Sequence, residues 1–247
     1  MSLEIEDLEV HIEDDQIIKG VTAEIKPGEI HALMGPNGSG KSTLSHALMG
    51  NPQYSVTNGK IKADGEEVTE EDADERARQG LFLGFQHPSE IPGISVAQFL
   101  REAMNARLPE DEQASMDDFR EKMEKSLEML NMDREFANRY LNDGFSGGEK
   151  KKMEILQMAV LDPKYAVLDE IDSGLDIDAL KTVAQGIRKL AGQDRGIFMI
   201  THYRRILDYV EPDRVHVMVD GKIVESGGSE LAHKLEEEGY DWAKEDN

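Results

Sequence analysis

Apolar and polar residues alternate along the first part of the chain, with one break in phase between Ile5 and Leu8. This period of two predicts a pair of half-solvated antiparallel strands, joined by a turn at Asp14-Asp15. Ile30–Met34 differs because it is a short, mostly apolar run, long enough for one buried strand. A glycine-rich loop and a helix follow it directly, and Gly59–Val68 predicts a further edge hairpin.

After these hairpins, short apolar runs alternate with segments of helical period. Leu81–Phe85 predicts another buried strand, and residues 95–161 are helical in character. One apolar helical stripe, with spacings of four, four and three, consists of Phe119, Met123, Leu127 and Leu130. Later apolar runs predict strands at Tyr165–Leu168, Ile197–Thr201 and Arg214–Val219, with helices between them. This alternation predicts an α/β fold with a mostly parallel sheet that is covered on both faces.

The loop after the first buried strand carries a pattern that holds phosphate. It consists of Gly35, Pro36, Asn37, Gly38, Ser39, Gly40, Lys41, Ser42 and Thr43. Glycines allow a sharp turn whose amides point at phosphate oxygens, and the next helix presents its positive N-terminal end to them. Lys41 supplies positive charge to the β- and γ-phosphates, and the Ser42 hydroxyl is placed to bind Mg²⁺. We therefore predict a site for ATP and Mg²⁺ here.

Two adjacent carboxylates, Asp169 and Glu170, follow the buried run that begins at Tyr165. Because side chains alternate along a strand, the two carboxylates leave it on opposite sides. Asp169 is expected to reach Mg²⁺ through water, and Glu170 to polarise the water that attacks the γ-phosphate. An acidic pair alone is weak evidence in so acidic a chain. Its position after a phosphate loop and at the end of a strand makes it strong evidence for these roles.

The charge balance of the chain disfavours some classes of partner. It has 51 Asp+Glu against 28 Lys+Arg, so its formal net charge is -23. Such a surface repels nucleic acid and anionic lipid, and we expect neither a nucleic-acid partner nor a basic membrane-binding patch. The acidity serves either solubility, for example in a salty cytosol, or a dedicated cation-binding role.

Cysteine is absent, which excludes disulfides and thiolate ligands to zinc or to an iron–sulfur cluster in this chain. The first residues lack the basic and apolar segments of a signal peptide. No run of apolar residues is long enough to cross a membrane as a helix. We therefore expect a cytoplasmic protein that does not insert into the membrane.

A second helix start with phosphate-binding character lies far from the phosphate loop. The residues at 145–149 begin a helix and offer free amides and a serine hydroxyl. Ser146 as the N-cap, with Glu149 completing a capping box, is the ordinary interpretation. The segment also resembles the signature motif of ABC ATPases, which faces the γ-phosphate held by the partner subunit. The resemblance implies that Ser146, Gly147 and Gly148 contact ATP across an ATP-dependent homodimer.

Three further positions match ABC ATPase motifs in order and spacing. Gln86 resembles the Q-loop glutamine, which in that family ligates Mg²⁺ and couples to partners. Ser173-Gly174-Leu175-Asp176 resembles the D-loop, which implies that Asp176 lies at the nucleotide site, and His202 resembles the switch histidine. The likeness extends over essentially the whole chain. The sequence is thereby identified as an ABC-type ATPase that hydrolyses ATP, with Gln86, Glu170 and His202 as its catalytic residues.

The resemblance also implies a P-loop ABC-ATPase fold with a mostly parallel core sheet, an N-terminal antiparallel β subdomain and an inserted helical subdomain. Residues 1–247 would form a single ABC ATPase domain. Its nucleotide-binding core would cover 1–90 and 162–247, and the helical subdomain with the signature motif 91–161. One position departs from the family pattern, because the aromatic residue that stacks on adenine would fall near His11 and Ile12. We therefore expect weak base selectivity.

Several segments resemble one branch of that family, the SufC-type ATPases of the SUF iron–sulfur cluster assembly system. The segments are Phe85–Gly93, Gly144–Lys152, Asp169–Leu180 and Thr201–Tyr209. Glu149 stands where transport cassettes usually carry glutamine after the signature glycines. The resemblance implies that the partner is a SufB-type scaffold protein, alone or with a SufD-type subunit, and that ATP-driven closure rearranges it.

Two other functions stay open at this point. Most ABC ATPases are subunits of membrane transporters, so a transporter subunit is the main alternative. A non-hydrolysing regulatory subunit is the second, although the complete set of expected catalytic residues argues against it. Three lysines follow the signature glycines, and two interpretations of them stay open. They form a solvated basic face, or Lys151 pairs with Glu170 and turns it from the attacking water until a partner binds near Gln86.

Overall fold

The computed structural model describes residues 1–109, 113–192, 194–240 and 242, which form twelve β-strands and eight α-helices. The strands are β1 Leu3–Ile12, β2 Asp15–Ile25, β3 Ile30–Met34, β4 Ser55–Ala63, β5 Glu66–Glu67, β6 Leu81–Gly84, β7 Ile91–Ser95, β8 Tyr140–Leu141, β9 Tyr165–Asp169, β10 Gly196–Ile200, β11 Arg214–Val219 and β12 Lys222–Gly227. The helices are α1 Lys41–Leu48, α2 Ala73–Arg78, α3 Val96–Asn105, α4 Met116–Met129, α5 Gly147–Leu161, α6 Ile177–Ala191, α7 Arg204–Val210 and α8 Ser229–Glu238.

The central sheet has six strands in the order β12-β11-β3-β10-β9-β6. The five strands from β11 to β6 run parallel to one another, and β12 at one edge runs antiparallel to β11. The strands β3, β9 and β10 are buried along their whole length, as expected where both faces of a parallel sheet are covered. The predicted α/β fold with a mostly parallel core sheet is confirmed.

A second sheet, antiparallel and in the order β2-β1-β4-β5, forms the N-terminal β subdomain. The pairing of β1 shifts register between Ile5 and Leu8, where Asp7 has a φ of 46°. An extra residue in one strand moves the following side chains to the other face, which explains the break in the sequence pattern. Gly59 lies against this bulge, since a Cβ there would be 2.4 Å from the carbonyl oxygen of Glu6.

Two hydrophobic cores lie on opposite faces of the central sheet. Ala166 and Leu168 of β9 pack into the core shared with α3, α4, α5 and α6. Tyr165 and Val167, which alternate with them, pack with α1 and the N-terminal sheet. The predicted stripe of α4 is buried in the first core. The carboxyl ends of the parallel strands are therefore held firmly from both sides.

Some elements differ from the sequence-based expectation. The turn at Asp220-Gly221 makes a hairpin of β11 and β12, which the pattern analysis omitted together with α8 and the short β7–β8 pair. The division of the chain at residues 90 and 162 stays a prediction. Among the helices that the structure describes, none is long and apolar enough to cross a bilayer.

Candidate functional site

The phosphate loop connects β3 to α1 at the carboxyl edge of the central sheet. Gly38 and Gly40 have φ values of 81° and 105°, a left-handed conformation that glycine adopts without strain. Gly35 packs so closely on β11 that an added Cβ would lie 2.2 Å from the carbonyl oxygen of Met218. Asn37 is exposed on the loop. The turn and the packing therefore require the glycines that the sequence pattern singled out.

Lys41 begins α1 and points back into the loop. Its Nζ donates to the carbonyl oxygens of Gly35 and Pro36, at 2.8 and 3.0 Å. Burial lowers the pKa of this ammonium, and the charges of Glu170 and Asp169 oppose the shift. The ammonium thus lies among backbone acceptors that phosphate oxygens are able to replace.

The hydroxyls of the loop add to this donor set. Ser39 Oγ is buried and has no hydrogen-bond partner among the residues that the structure describes. Buried hydroxyls normally have a partner, so an orphaned donor in this loop fits a site for an anion. Ser42 and Thr43 lie half-buried in the first turn of α1. The residues present therefore fit the phosphates of a nucleotide.

Asp169 ends β9 and faces α1. Its Oδ1 accepts from Ser42 Oγ at 3.3 Å, and its Oδ2 accepts from Ser45 Oγ at 3.0 Å. Burial raises the pKa of Asp169, and these two hydrogen bonds oppose the shift. A serine hydroxyl beside a carboxylate is the oxygen donor set that Mg²⁺ takes, so Ser42 and Asp169 fit that ion. The sequence interpretation missed Ser45, although it lies one helical turn after Lys41.

Glu170 turns to the other side, with a φ of 43° that costs a residue other than glycine about 1–2 kcal/mol. Gln86 Nε2 donates to Glu170 Oε2 at 2.5 Å. His202 Nδ1 lies 3.2 Å from Glu170 Oε1, and the Glu170 side chain is 10% exposed. The structure therefore brings together the three residues that were predicted to be catalytic.

The loop that carries His202 is fixed by a contact that the sequence interpretation missed. Thr201 Oγ1 donates to Asp172 Oδ2 at 2.7 Å and accepts from the backbone N–H of Tyr203 at 2.9 Å. The ring of Tyr203 lies against that of His202, with 3.8 Å between their centroids. Burial raises the pKa of Asp172, and the hydrogen bond from Thr201 opposes the shift. These contacts set where His202 stands relative to Glu170.

The signature segment forms the start of α5. Ser146 Oγ accepts from the backbone N–H of Glu149 at 3.3 Å, while Glu149 Oε2 accepts from that of Ser146 at 2.7 Å. The capping box is thus present. Gly148 packs towards Leu175, and Asp176 caps α6 by accepting from Ala179. No hydrogen bond within the described ranges joins the signature residues to the phosphate loop of the same chain.

The expectation that Lys151 pairs with Glu170 is wrong. Lys151 does face inwards, but its Nζ donates to the carbonyl oxygens of Gln86 and Phe85, at 2.5 and 3.3 Å. These backbone acceptors lie nearer than the carboxylate, whose two oxygens are approached by Gln86 and His202 instead. Lys150 lies on another side of α5 and pairs with Glu90.

The two positions expected to meet the base, His11 and Ile12, carry no Phe, Tyr or Trp ring. Ile12 ends β1, and His11 Nδ1 lies 3.0 Å from Thr57 Oγ1. Ile17 approaches the phosphate loop, with its Cγ2 3.4 Å from the position of a Cβ on Gly40.

Over the described part of the chain, no group of three or more His, Asp or Glu side chains is arranged to hold a metal ion.

Comparison with known proteins agrees with this geometry. Residues 18–173 match the family described as ABC transporter. The chain is 58% identical over 245 residues to Vegetative protein 296 of Bacillus subtilis, covering 99% of this chain and 94% of that protein. It is 57% identical to a probable ABC transporter ATP-binding protein of Streptococcus pyogenes, covering 96% and 93%.

A solved structure with the same fold is the dimeric post-hydrolysis state of an ATP-binding cassette bound to ADP and Pi. Its TM-score is 0.78 at 21% sequence identity, and the match covers 92% of this chain and 98% of that one. Together with the family match, the phosphate loop, the acidic pair and the histidine opposite it lead to one assignment. The chain belongs to the ABC transporter family and is an ATP-binding ABC ATPase.

Proposed function

We propose that this ABC ATPase acts in the cytoplasm as a SufC-type subunit, which uses ATP to rearrange a SufB-type or SufB/SufD-type scaffold during iron–sulfur cluster assembly. The observation that carries the proposal is the 2.5 Å contact between Gln86 and Glu170, beside a Phe85 side chain that is 44% exposed. A protein that binds at Phe85 would therefore act one residue from the group that contacts the catalytic carboxylate. The SufC-like segments support the choice of scaffold.

Each site residue has a role in hydrolysis. Lys41 and the amides of the phosphate loop hold the phosphates. The negative charge then lies beside the Lys41 ammonium and the positive N-terminal end of α1, which stabilise it. Glu170 polarises the attacking water, and accepts its proton once Gln86 no longer occupies Oε2. His202 holds Glu170 and the γ-phosphate in line. The hydrogen bond from Thr201 to Asp172 keeps that histidine in place.

Ser42, Asp169 and Gln86 are the residues that would hold Mg²⁺. An ion held there would supply positive charge that offsets the negative charge of the phosphate oxygens. The contribution of the chain is the orientation of the ligands: Ser45 holds Asp169 Oδ2, so that the carboxylate keeps one orientation towards α1.

We propose further that two copies complete each site. The signature residues Ser146, Gly147 and Gly148 stand at a helix start, and within the described ranges no hydrogen bond joins them to their own phosphate loop, which supports a contact in trans. Asp176 would lie at the same interface. The structurally similar cassette is a dimer, which agrees with this arrangement. A Ser146→Arg variant tests it: hydrolysis should be lost while the monomer still binds ATP.

A transporter subunit is the second candidate. The family description and the names of relatives, such as the probable ABC transporter ATP-binding protein of Streptococcus pyogenes, favour it. In that case the partner at Phe85 would be a membrane-embedded permease.

Isolation of the native complex, followed by identification of its partners, separates these two functions. A SufC-type subunit should co-purify from the soluble fraction with a SufB-type protein, and that protein should stimulate ATP hydrolysis. Phe85→Ala should reduce both effects, whereas Ile177→Ala, which changes an exposed apolar residue elsewhere, should not reduce binding. Recovery with a hydrophobic permease alone would overturn the proposal.

A further inference from the structure

Two charged side chains of α5 hold the backbone just after β6. Glu154 Oε2 accepts from the backbone N–H of Phe85 at 2.8 Å. Lys151 Nζ donates to the carbonyl oxygens of the same residue and of Gln86. The two side chains are three positions apart on the helix, so they project from one face. Segment 85–86 is thus held from both sides.

Both charged groups are buried, with Glu154 2% exposed and Lys151 5% exposed. Burial raises the pKa of Glu154 to about 7, and burial lowers the pKa of Lys151, so each charged form is costly there. Apolar side chains would fill this space without that cost. What Glu154 and Lys151 add is a set of directional hydrogen bonds to segment 85–86. Just before this segment, Gly84 packs tightly on β9, since a Cβ there would lie 3.0 Å from the side chain of Leu168.

The held segment leads directly to the catalytic carboxylate, because the side chain of Gln86 donates to Glu170. We infer that Glu154 is a positioning residue, which together with Lys151 holds segment 85–86 so that Gln86 stays on Glu170 in the resting enzyme. The inference rests on the proposed role of Glu170 and adds the residue that controls it. The amide of Gln86 takes up one of the acceptor sites of Glu170. Turnover is therefore slow until the segment moves.

Amide hydrogen exchange at Phe85 tests the holding contact without reference to activity. Glu154→Met has a similar volume but no acceptor, and should lower the protection of this amide by about five-fold or more, the effect of one lost hydrogen bond. Glu154→Gln retains a carbonyl oxygen and should keep the protection. Gln157→Leu is the matched control, because Gln157 contacts the other oxygen of Glu154 but not segment 85–86. Equal protection in all variants would overturn the inference.

Steady-state ATPase measurements on the same proteins test the link to Glu170. Glu154→Met should raise basal kcat by about five-fold, with the KM for ATP within about two-fold of wild type, because one hydrogen bond is lost and nucleotide binding is untouched. Gln157→Leu should leave both unchanged. A purely structural role would lower kcat along with thermal stability, and an unchanged or lower kcat would overturn the link.

Two further variants keep the outcomes distinct. If Glu154→Met does not fold, Lys151→Met removes the other half of the contact and should also raise kcat. Glu170→Gln, assayed in parallel, tests the proposed role of Glu170. If that variant turns over like wild type, the proposed role fails, while the exchange rate at Phe85 still decides whether Glu154 holds the segment.

Discussion

His216 and His31, both buried, belong to a chain of hydrogen bonds at the end of the central sheet that is opposite the phosphate loop. His31 Nε2 is 3.1 Å from Glu29 Oε2, and an ionised carboxylate accepts only, so this nitrogen carries a proton. His31 Nδ1 then accepts from His216 Nε2 at 3.1 Å, and Ser226 Oγ donates to His216 Nδ1 at 2.7 Å. All contacts are satisfied while both rings are neutral. An added proton on either ring breaks this order.

Burial, with smaller contributions from His31 and Arg214, lowers the pKa of His216 from 6.5 to about 4. Because the folded pKa lies below the unfolded one, the unfolded chain binds the proton first and stability falls as the pH drops through this window. At about 1.4 kcal/mol per pKa unit, the full effect is about 3 kcal/mol. Integration over the window gives a loss of about 2 kcal/mol between pH 7 and pH 5.

Urea unfolding at pH 5, 6 and 7 measures this loss. Carboxylates and the overall charge also contribute, so the informative quantity is the difference between wild type and His216→Gln, which cannot take up the proton. The variant should be less stable at pH 7 and should lose about 2 kcal/mol less than wild type on going to pH 5. His233→Gln, a change at an exposed histidine, should follow wild type. Parallel pH dependence of wild type and His216→Gln would show that proton uptake by His216 does not lower the stability.

Three further predictions concern the nucleotide site. Lys41→Ala should weaken ATP binding by about 100-fold or more, because hydrogen bonds to charged phosphates are lost, with unchanged circular dichroism; calorimetric titration checks this. Ser45→Ala should lower the free energy of unfolding by about 1–3 kcal/mol in urea titrations, since Asp169 Oδ2 loses its donor. ATP should be preferred over GTP by less than about ten-fold in competition binding, because Ile17 and Ile12 offer no aromatic stack of the kind worth about 1–3 kcal/mol.

Local sequence patterns were sufficient to predict most of the fold. Every residue of Ile30–Met34 is buried, and its mostly apolar sequence predicts the strand and its bounds. The phosphate loop follows from glycine spacing, because Gly38 and Gly40 need left-handed φ values that few other residues adopt. Arg214–Val219 was also predicted with the bounds that the structure has. The hairpin to β12 was missed although Asp220-Gly221 is a strong turn signal.

Contacts between distant segments were harder to predict. The family resemblance brought Gln86, Glu170 and His202 to one site, but it did not indicate which of them touch. The choice of Lys151 as the partner of Glu170 failed because two backbone carbonyl groups compete for the same ammonium. A sequence does not display backbone acceptors, since every residue carries one. The buried Glu154 was overlooked for a related reason: charged residues on helices usually face solvent.

The proposed hydrolysis mechanism depends on Glu170 as the group that polarises the attacking water. Glu170→Gln tests it most directly, because glutamine keeps the shape of the side chain and removes its basic oxygen. ATP hydrolysis by the purified protein should fall by about 100-fold or more, the usual contribution of a general base, while ATP binding is retained. Turnover of Glu170→Gln at the wild-type rate would show that Glu170 does not polarise the attacking water.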